Sequence, residues 1–445
     1  MSGSAFELFA FSFVIFSTFL ICYLWKKNPE LFRKHIVFVI VISLVTFFYL
    51  GFLREYHPKS WDFMSYYLAA KGMEEGINIY DSQMVTEFNR KFNYMKTTYL
   101  YTPLLATIIG FFSRIDESRF FILYEFGNFY ALVFFLSLLY LVLLRYEIFS
   151  GNLISILLLL MFIINVPIMR TLIHGQINFY TMDLILISIL CFRKNDLVSA
   201  ISLCLAANLK LSPVLLIVAF FLQKDWRWLI YFCAAQLLII MVTSTVYSYQ
   251  YWPWFLDFIL HNSPPASFRN NSLDSLISNV SRMIGFSYLD RFRVIDLIVI
   301  SAKAAALYFI GRVLMVGVKE RIFYRGHDDK HVVYNSVPIL IIGMMVASPY
   351  MWPHHFVFMI FPFILLLSCC KYRNDFVFYV IGYLLIFIVP VFDIFPFSYH
   401  RIFGIFLFIL ILDRWLKRGS YGFSEFVVRV DKKLDELFRN NKEGN

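Results

Sequence analysis

The sequence "FFILYEFGNFYALVFFLSLLYLVLL", residues 120–144, is one continuous apolar run. A helix of this length is long enough to cross the roughly 30 Å of hydrocarbon in a bilayer. In lipid, only a helix or a closed barrel satisfies every backbone N–H and C=O group internally. The stretch therefore predicts a transmembrane helix, and much of the chain repeats its pattern.

The composition extends this interpretation to the whole chain. Of the 445 residues, 60% are hydrophobic and only 16% are charged, whereas soluble domains carry about 25% charged residues. We therefore expect an all-α polytopic membrane protein. In such a protein the net charge of +10 reflects basic cytoplasmic loops and not nucleic-acid binding. Apolar runs lie near 5–25, 36–53, 120–144, 152–169, 178–192, 228–246, 294–316, 332–350, 355–370, 376–395 and 402–416.

The distribution of basic residues predicts the orientation of these runs. The segment "KKNPELFRKH" (26–35) should be cytoplasmic because Lys and Arg collect on that side. The alternation of later loops is consistent only if 197–222 enters and leaves the membrane as a hairpin that turns near Asn208–Pro213. Residues 103–115 are apolar but short, which favours an interfacial or re-entrant helix.

The same map divides the chain into one membrane domain and a tail. Residues 1–416 form the integral membrane domain, with two large non-cytoplasmic loops at 54–102 and 247–292. Residues 417–445 form a cytoplasmic tail in which 423–438 has apolar residues at helical spacing and Lys and Arg between them. This pattern is typical of an amphipathic helix on the inner leaflet.

Several reaction classes lack their usual motifs. The sequence contains no phosphate-binding loop, no dinucleotide fingerprint and no Gly-x-Ser-x-Gly elbow. The six cysteines fall inside apolar runs without metal spacing. His354 and His355 are adjacent, and neighbouring residues of a helix rarely share an ion without a third ligand. We therefore expect neither a metal nor a cofactor.

Polar and ionisable side chains converge on the non-cytoplasmic face of this map. Each has an ordinary interpretation, such as interfacial snorkelling for Arg170 or a surface ion pair for Asp62. Together, one carboxylate and several cations suit a negatively charged, membrane-bound substrate with a base beside it. The set comprises Asp62, Arg170, His174, Gln176, Lys210, Arg269, His354 and His355.

Five motifs in order resemble glycosyltransferase family 87, the polyprenyl-phosphate-mannose-dependent mannosyltransferases. They are "WDFMSYYLAAKGMEEGINIYD" (61–81), "YLYTPLLATIIGFF" (99–112), "HGQINFYTMDLILI" (174–187), "AANLKLSPVLLIVAFFLQKDWRW" (206–228) and "SPYMWPHHFVFMIFPF" (348–363). No motif is specific alone. One departure from the family pattern is Thr102, where the family has a proline.

The resemblance implies roles for individual residues. Asp62 matches the family's catalytic aspartate, and Lys210 the residue of its lysine element. The other matches are Tyr66 and Tyr67, Gly76 and Tyr80, Gly175, Gln176 and Asn178, Pro213, Asn270 or Asn271, Ser272 and Leu273, and Ser348, Pro349, Trp352, His354 and His355.

The fold implied by the resemblance is the C-type glycosyltransferase fold, with roughly 11–13 transmembrane helices and short interfacial helices in the outer loops. The donor would be a polyprenyl-phosphate sugar, with mannose as the first expectation, and the acceptor a hydroxyl of a glycolipid or glycan. The reaction would be inverting, on the non-cytoplasmic face of a bacterial inner membrane. Asp62 would be the general base, and membrane lipids would surround the protein.

The residues themselves are compatible with this chemistry. A positioned carboxylate helps a sugar hydroxyl attack by taking its proton, and cations stabilise a departing phosphate. A retaining enzyme would need a second carboxylate about 5–5.5 Å from the first, and no other acid has a comparable setting.

The chief alternative is a polytopic transporter or a lipid or glycan flippase. It would also have many spans and cationic cavities, but its polar residues should be spread through the bilayer for alternating access. Another lipid-linked reaction, such as glycan polymerisation or ligation, shares the predicted topology and stays open.

Overall fold

The computed structural model describes residues 37–38, 40–42, 44–45, 61–92, 99–163, 165–262, 267–284, 291–326, 328–418 and 428–434. Helices make up most of these residues, and no strand occurs among them. The protein is an all-α polytopic membrane protein, as the composition predicts. The predicted span 5–25 lies outside the described residues, as do most of the span 36–53 and most of the tail 423–438.

The first eight helices extend from the first outer loop to the tip of the predicted hairpin. They are α1 (Trp61–Glu74), α2 (Ser82–Arg90), α3 (Pro103–Phe112), α4 (Glu117–Tyr146), α5 (Gly151–Ile163), α6 (Val166–His174), α7 (Asn178–Cys191) and α8 (Asp196–Leu209).

The remaining helices include several short 3-10 segments. In order they are a 3-10 turn (Ser212–Leu216), α9 (Ile217–Leu222), α10 (Trp226–Val246), α11 (Tyr251–His261), α12 (Leu273–Met283), α13 (Arg291–Lys319), α14 (His331–Ala347), a 3-10 helix (Pro353–Met359), α15 (Ile360–Leu366), a 3-10 turn (Leu367–Cys369), α16 (Arg373–Tyr383), a π-helical turn (Leu384–Ile388), a 3-10 turn (Phe397–Tyr399) and α17 (His400–Arg418).

Local sequence explains where key helices begin. Asp116 precedes α4, and its side chain accepts hydrogen bonds from the backbone N–H groups of Ser118 and Arg119 at 3.1 and 3.2 Å. Asn195 caps α8 in the same way through Val198. Pro103 begins α3, where the missing N–H group costs nothing because the first turn has no acceptor for it.

Three helices in the described part of the chain are long and apolar enough to cross a membrane: α4, α10 and the Val294–Lys319 part of α13. A fourth candidate is the pair α5 and α6, which meet at 59°. Other apolar runs form shorter helices of 10–17 residues. The run 355–370, for example, divides into a 3-10 helix, α15 and a 3-10 turn. The expected total of 11–13 spans therefore remains a prediction.

Burial separates central helices from lipid-facing ones. Every residue of α14 from Val333 to Val346 is buried, so this helix lies in the centre of the bundle. In α10 and α13 only 17% of the apolar window is buried, against 61% in α4. Most exposed side chains of α10 and α13 are apolar, as expected for lipid contact, and the exposed Asp296, Arg312 and Arg227 are exceptions.

The chain reverses direction within 197–222, as the predicted hairpin requires, and the entry of this segment into the membrane stays a prediction. The chain breaks at Lys210, between α8 and the 3-10 turn that leads into α9. Arg193, just before α8, pairs with Asp225, just after α9, at 2.6 Å. The Trp228 indole N–H also donates to the hydroxyl of Ser199 at 2.9 Å. Both ends of the segment thus meet at one place, and Lys210 lies at the opposite tip.

Contacts between loops follow the predicted alternation. Arg193 also pairs with Asp329 at 2.8 Å, which joins two predicted cytoplasmic loops. The Tyr146 hydroxyl donates to the carbonyl of Tyr334 at 2.8 Å. Asp431, in the helical stretch 428–434, accepts from the backbone and hydroxyl of Ser150. We call this group of loops the inner end.

The loops predicted to be non-cytoplasmic also contact one another, and we call them the outer end. The Tyr251 hydroxyl donates to the carbonyl of Met73 at 3.3 Å, so α11 covers α1. The Asn270 amide donates to the carbonyl of Pro349 at 3.0 Å. The short helix α3 packs against α1, and the choice between an interfacial and a re-entrant helix for 103–115 stays a prediction. The outer end thus brings the motif-bearing segments together.

Candidate active site

Asp62 lies in the first turn of α1 and is half-buried. Its carboxylate accepts a hydrogen bond from the Gln176 side chain and lies within electrostatic range of the Lys210 ammonium. Burial raises the pKa of Asp62 from 3.8 to about 6, although the Gln176 bond and the Lys210 charge act in the opposite direction. Asp62 is therefore ionised at neutral pH and is a stronger base than an exposed aspartate.

The orientation of Gln176 is fixed by two tyrosines. Its Oε1 atom accepts from the Tyr101 hydroxyl at 3.1 Å and from the Tyr66 hydroxyl at 3.4 Å. Because Oε1 is thereby occupied as an acceptor, the amide NH₂ is the group that faces Asp62. The Tyr66 and Tyr101 hydroxyl oxygens lie 3.1 Å apart, so the single proton of Tyr66 is shared between Tyr101 and Gln176 Oε1. Two tyrosines and one amide thus fix the surroundings of the carboxylate.

Gly175 turns the chain so that Gln176 reaches this position. It ends α6 with a left-handed backbone, φ 60°. The Gly175 N–H bonds to the carbonyl of Leu172 at 3.0 Å, and the Gln176 N–H to that of Thr171 at 2.9 Å. This is the Schellman pattern, in which glycine adopts a positive φ without a Cβ clash. Gly175 thus ends the helix, and the turn that it makes places the next residue, Gln176, at the site.

Asn178 links Lys210 to the histidine segment. The Lys210 ammonium donates to Asn178 Oδ1 at 2.5 Å. Asn178 Nδ2 donates to the backbone carbonyl of His354 at 2.9 Å, and the Thr171 hydroxyl donates to the same carbonyl at 3.3 Å. Lysine only donates and a carbonyl only accepts, so the amide orientation of Asn178 is unambiguous. Three motifs therefore meet at one asparagine.

Lys210 owes its position to the break at the hairpin tip. It is half-buried with an extended backbone, and its ammonium lies 5.5 Å from the centre of the Phe358 ring. The carbonyl of Asn208, two residues earlier, accepts from the Thr102 hydroxyl at 2.5 Å. Thr102 is the residue that departs from the family pattern. Its hydroxyl ties the start of α3 to the hairpin tip, and a proline at this position has no hydroxyl to form that bond.

The paired histidines have different surroundings. The His355 Nδ1–H donates to the carbonyl of Tyr350 at 2.9 Å. His354 is buried, and its Nε2 atom has no partner among the described residues. The ring of His354 lies 5.8 Å from that of His174 and 4.5 Å from that of His355. No group of three possible His, Cys, Asp or Glu metal ligands occurs in the described part of the chain, and metal independence stays a prediction.

Three predicted site residues lie outside this contact network. Tyr67 packs against Phe63 and Phe120, on a different side of α1 from Tyr66. Arg269 is exposed and forms a bidentate pair with Asp393. Trp352 is half-buried and immediately precedes the 3-10 helix that carries the histidines. A role for these three residues in the site stays a prediction.

Arg170 is half-buried one turn before His174 in α6. Its charge acts on both His174 and His354. It therefore belongs to the outer end, near the histidines.

Three residues of this region are not among the predicted site residues. Tyr101 lies within one of the five motifs, and its hydroxyl contacts Gln176 directly. The Tyr124 hydroxyl donates to the carbonyl of Gly175 at 2.5 Å and supports the turn. Arg401, at the start of α17, is fully buried. A charged residue next to an apolar run was the available signal for Arg401.

The arrangement combines an ionised, half-buried carboxylate with a neighbouring ammonium and unpartnered imidazole nitrogen. Such a carboxylate is suited to accept a proton from a hydroxyl group. The cations are suited to stabilise negative charge that develops nearby.

Comparison with known proteins identifies the family. No curated protein matches the chain in a sequence search. The model of glycosyltransferase family 87 matches residues 99–349, which is more than half of the chain and includes Tyr101, Gln176, Asn178 and Lys210. The protein is therefore a membrane glycosyltransferase that belongs to glycosyltransferase family 87.

Proposed function

We propose that this enzyme transfers a sugar, with mannose as the first candidate, from a polyprenyl phosphate to a hydroxyl of a glycolipid or glycan. The transfer inverts the anomeric configuration and occurs on the non-cytoplasmic face of a bacterial inner membrane. The observation that carries the proposal is the half-buried Asp62 carboxylate, held by Gln176 beside the Lys210 ammonium.

Asp62 acts as the general base. A sugar hydroxyl loses its proton only as it attacks, so a carboxylate in hydrogen-bond reach lowers the barrier, typically by 10²–10⁴ in rate. A pKa raised to about 6 keeps the group ionised at neutral pH while it strengthens the base. The hydrogen bond from Gln176 fixes the direction in which the carboxylate points.

Lys210 stabilises the departing lipid phosphate. In a direct displacement the phosphate is bonded to the carbon under attack, so its cation must lie close to the base. Lys210 is the cation that acts on Asp62 in the described structure. Asn178 holds its ammonium through one hydrogen bond, which leaves two N–H groups for phosphate oxygens.

Inversion is supported by the surroundings of Asp62. Retaining transfer through a glycosyl-enzyme needs a second carboxylate within about 5–5.5 Å. In the described structure the side-chain hydrogen-bond partner of Asp62 is the amide of Gln176 and not a second carboxylate. One base and a direct attack therefore account for the chemistry.

The test is transfer by the purified protein from a panel of polyprenyl-phosphate sugars to a membrane lipid extract, with products identified by mass spectrometry. Asp62→Asn keeps the shape and removes the base, so transfer should fall by about 10²–10⁴ while the donor still binds. Glu75→Gln makes the same change in an exposed ion pair of the same outer loop and should leave transfer unchanged. Full transfer by Asp62→Asn contradicts the proposal, and a flippase would be indifferent to the change.

A further inference from the structure

A buried asparagine of the second outer loop pairs with the segment that leads to the histidines. Asn270 has 0% exposure. Its Nδ2 atom donates to the carbonyl of Pro349 at 3.0 Å, and its Oδ1 atom accepts from the N–H of Met351 at 2.8 Å. The Asn271 N–H donates to the carbonyl of Met351 at 2.7 Å. The Asn270 side chain and the next backbone N–H thus bind both ends of residues 349–351.

The turn that carries Asn270 is itself braced by the start of α12. The Ser272 hydroxyl accepts from the N–H of Ser275 at 3.1 Å and caps this helix. The Ser275 hydroxyl donates to the carbonyl of Ser267 at 2.8 Å and closes the turn. Ser272 and Ser275 are both buried. Asn270 is therefore anchored on α12 and provides a fixed point for residues 349–351.

The peptide group between Tyr350 and Met351 carries the effect of Asn270 to His355. This peptide is trans, so its N–H and C=O groups point in opposite directions. Because the Met351 N–H points at Asn270, the Tyr350 carbonyl points away from it. That carbonyl accepts from the Ser348 hydroxyl at 2.9 Å and from His355 Nδ1 at 2.9 Å. Asn270 thus sets the direction of the acceptor that His355 uses.

The bond to Tyr350 decides which nitrogen of His355 carries the proton. A neutral imidazole has one N–H group, and a carbonyl oxygen only accepts, so the proton lies on Nδ1 and Nε2 has a lone pair. His355 is half-buried, and its Nε2 atom forms no hydrogen bond with the described residues. A lone pair accepts from a hydroxyl group but is repelled by a phosphate oxyanion, which has no proton to donate. Nε2 therefore fits a sugar hydroxyl.

The position of His355 indicates which sugar supplies the hydroxyl. His355 lies in the 3-10 helix Pro353–Met359, and in such a helix residues i and i+3 eclipse each other. It is therefore on the same face as Phe358, about 6 Å away along the helix axis. The Lys210 ammonium lies 5.5 Å from the centre of the Phe358 ring. A donor phosphate bound to Lys210 would therefore have its sugar beside this face.

We propose that Asn270 is a positioning residue that holds the His355 proton on Nδ1, so that Nε2 binds a hydroxyl of the donor sugar. This inference rests on the proposed function, in which Lys210 binds the donor phosphate. His355 then selects the hydroxyl pattern of the sugar, and Asn270 acts through His355 without touching the substrate. The proton of the acceptor still goes to Asp62.

The first experiment determines the tautomer without measuring transfer. Full-length protein with isotope-labelled histidine is examined by nitrogen NMR at about pH 8, where neutral histidine predominates. The chemical shift distinguishes a ring nitrogen with a proton from one with a lone pair, and His355→Gln identifies the signals of His355. In the wild type the proton should lie on Nδ1. In Asn270→Ala both signals should move toward the average of the two tautomers.

The second experiment is a double-mutant cycle on transfer. Asn270→Ala should lower kcat/KM for the polyprenyl-phosphate sugar about tenfold, while the KM for the acceptor changes less than about twofold. His355→Gln has no tautomer to set, so in this background Asn270→Ala should lower kcat/KM by less than about twofold. A purely structural role of Asn270 would give the same loss in both backgrounds.

Asn262→Ala is the matched control. Asn262 is exposed and donates to the hydroxyl of Tyr350 at 2.8 Å, so this change removes a bond to the same tyrosine but not to its peptide group. Its histidine signals and kcat/KM should equal those of the wild type. The thermal unfolding temperature checks that each variant folds. If Asn270→Ala does not fold, Asn270→Ser replaces it, since the shorter side chain does not bridge Pro349 and Met351.

Any of four results would overturn the inference. They are a proton on Nε2 of wild-type His355, unchanged His355 signals in Asn270→Ala, an equal loss of transfer in both backgrounds, and a rise in the acceptor KM in place of the loss toward the donor. If the wild type transfers no sugar from any polyprenyl phosphate, the proposed function fails, and with it the role of His355 toward a donor sugar. The NMR measurement then still decides whether Asn270 sets the tautomer.

Discussion

At the scale of single residues, the decisive feature is the balance of forces on Asp62. Desolvation raises its pKa to about 6 against the Gln176 hydrogen bond and the Lys210 charge. A carboxylate with this pKa is protonated in mildly acidic solution, which removes the base. We predict that kcat/KM falls about tenfold for each pH unit well below 6. A profile without an acid limb near 6 would exclude Asp62 as the titrating base.

The raised pKa of Asp62 also affects the stability of the fold. A carboxyl group whose folded-state pKa is raised contributes stability that is fully present below pH 3.8 and is lost as the pH rises through about 6. Ionised Asp62 therefore destabilises the fold at neutral pH. We predict that Asp62→Asn unfolds at the same or a higher temperature than the wild type, while it loses transfer. A clear fall in the unfolding temperature would show that the carboxylate is structural.

Asn178 offers a second test at this scale. Asn178→Asp replaces the donor to the His354 carbonyl by an oxygen, which leaves that buried carbonyl facing a carboxylate. We predict a loss of about 1–3 kcal/mol in unfolding free energy and a fall in transfer, measured by thermal unfolding and the donor assay. Asn195→Asp is the control, because both side chains cap a helix equally well. Similar behaviour of the two variants would contradict the assigned role.

At this scale the sequence predicts identities better than contacts. Four site residues are recognisable because polar and ionisable groups near hydrocarbon cost free energy and usually serve a function. They are Asp62, Gln176, Asn178 and Lys210. Tyr101 and Tyr124 are harder to recognise because their hydroxyl partners, Gln176 and the Gly175 carbonyl, come from distant segments. A tyrosine in an aromatic-rich sequence carries no local sign of such a partner.

At the scale of elements, helix ends place the site. Gly175 ends α6 at a positive φ, a conformation that costs other L-residues roughly 1–2 kcal/mol. We predict that Gly175→Ala lowers the unfolding free energy by about that amount and reduces transfer through Gln176. Gly311, inside α13, provides the control because a Cβ added there would meet no other atom. Gly311→Ala should be neutral or stabilising by up to about 1 kcal/mol. Full activity of Gly175→Ala would contradict the role of the turn.

The elements also show what hydropathy does not detect. The hairpin at 197–222 is predictable because Lys210, Pro213 and the basic flanks break an apolar run. The division of 355–370 into three short helices is not predictable from its continuous hydrophobicity. The N–H and C=O groups at buried helix ends form hydrogen bonds with neighbouring segments of the bundle. Hydropathy averaged over a sequence window contains no information about those partners.

At the scale of the whole molecule, loops sort into two ends as the charge distribution predicts. The side of the membrane on which each end lies is testable by labelling. We predict that Gln83→Cys, at the outer end, reacts with a membrane-impermeant maleimide in intact cells. Lys371→Cys should react only after permeabilisation, and the wild type sets the background from Cys233, which is exposed on α10. The reverse pattern would place the carboxylate in the cytoplasm and reject the proposed donor.

The short hairpin has a consequence for the proposed lipid donor. Its 14-residue leg α8 rises about 21 Å, roughly 10 Å less than the hydrocarbon thickness. If Arg193 and Asp329 lie at one membrane surface, as the charge distribution predicts, the ammonium at the tip stops well beneath the other. The proposed donor would then have to sink below the plane of its neighbours' headgroups to present its phosphate to this ammonium, and the asparagine, glutamine and tyrosine side chains there would replace the water that it leaves behind.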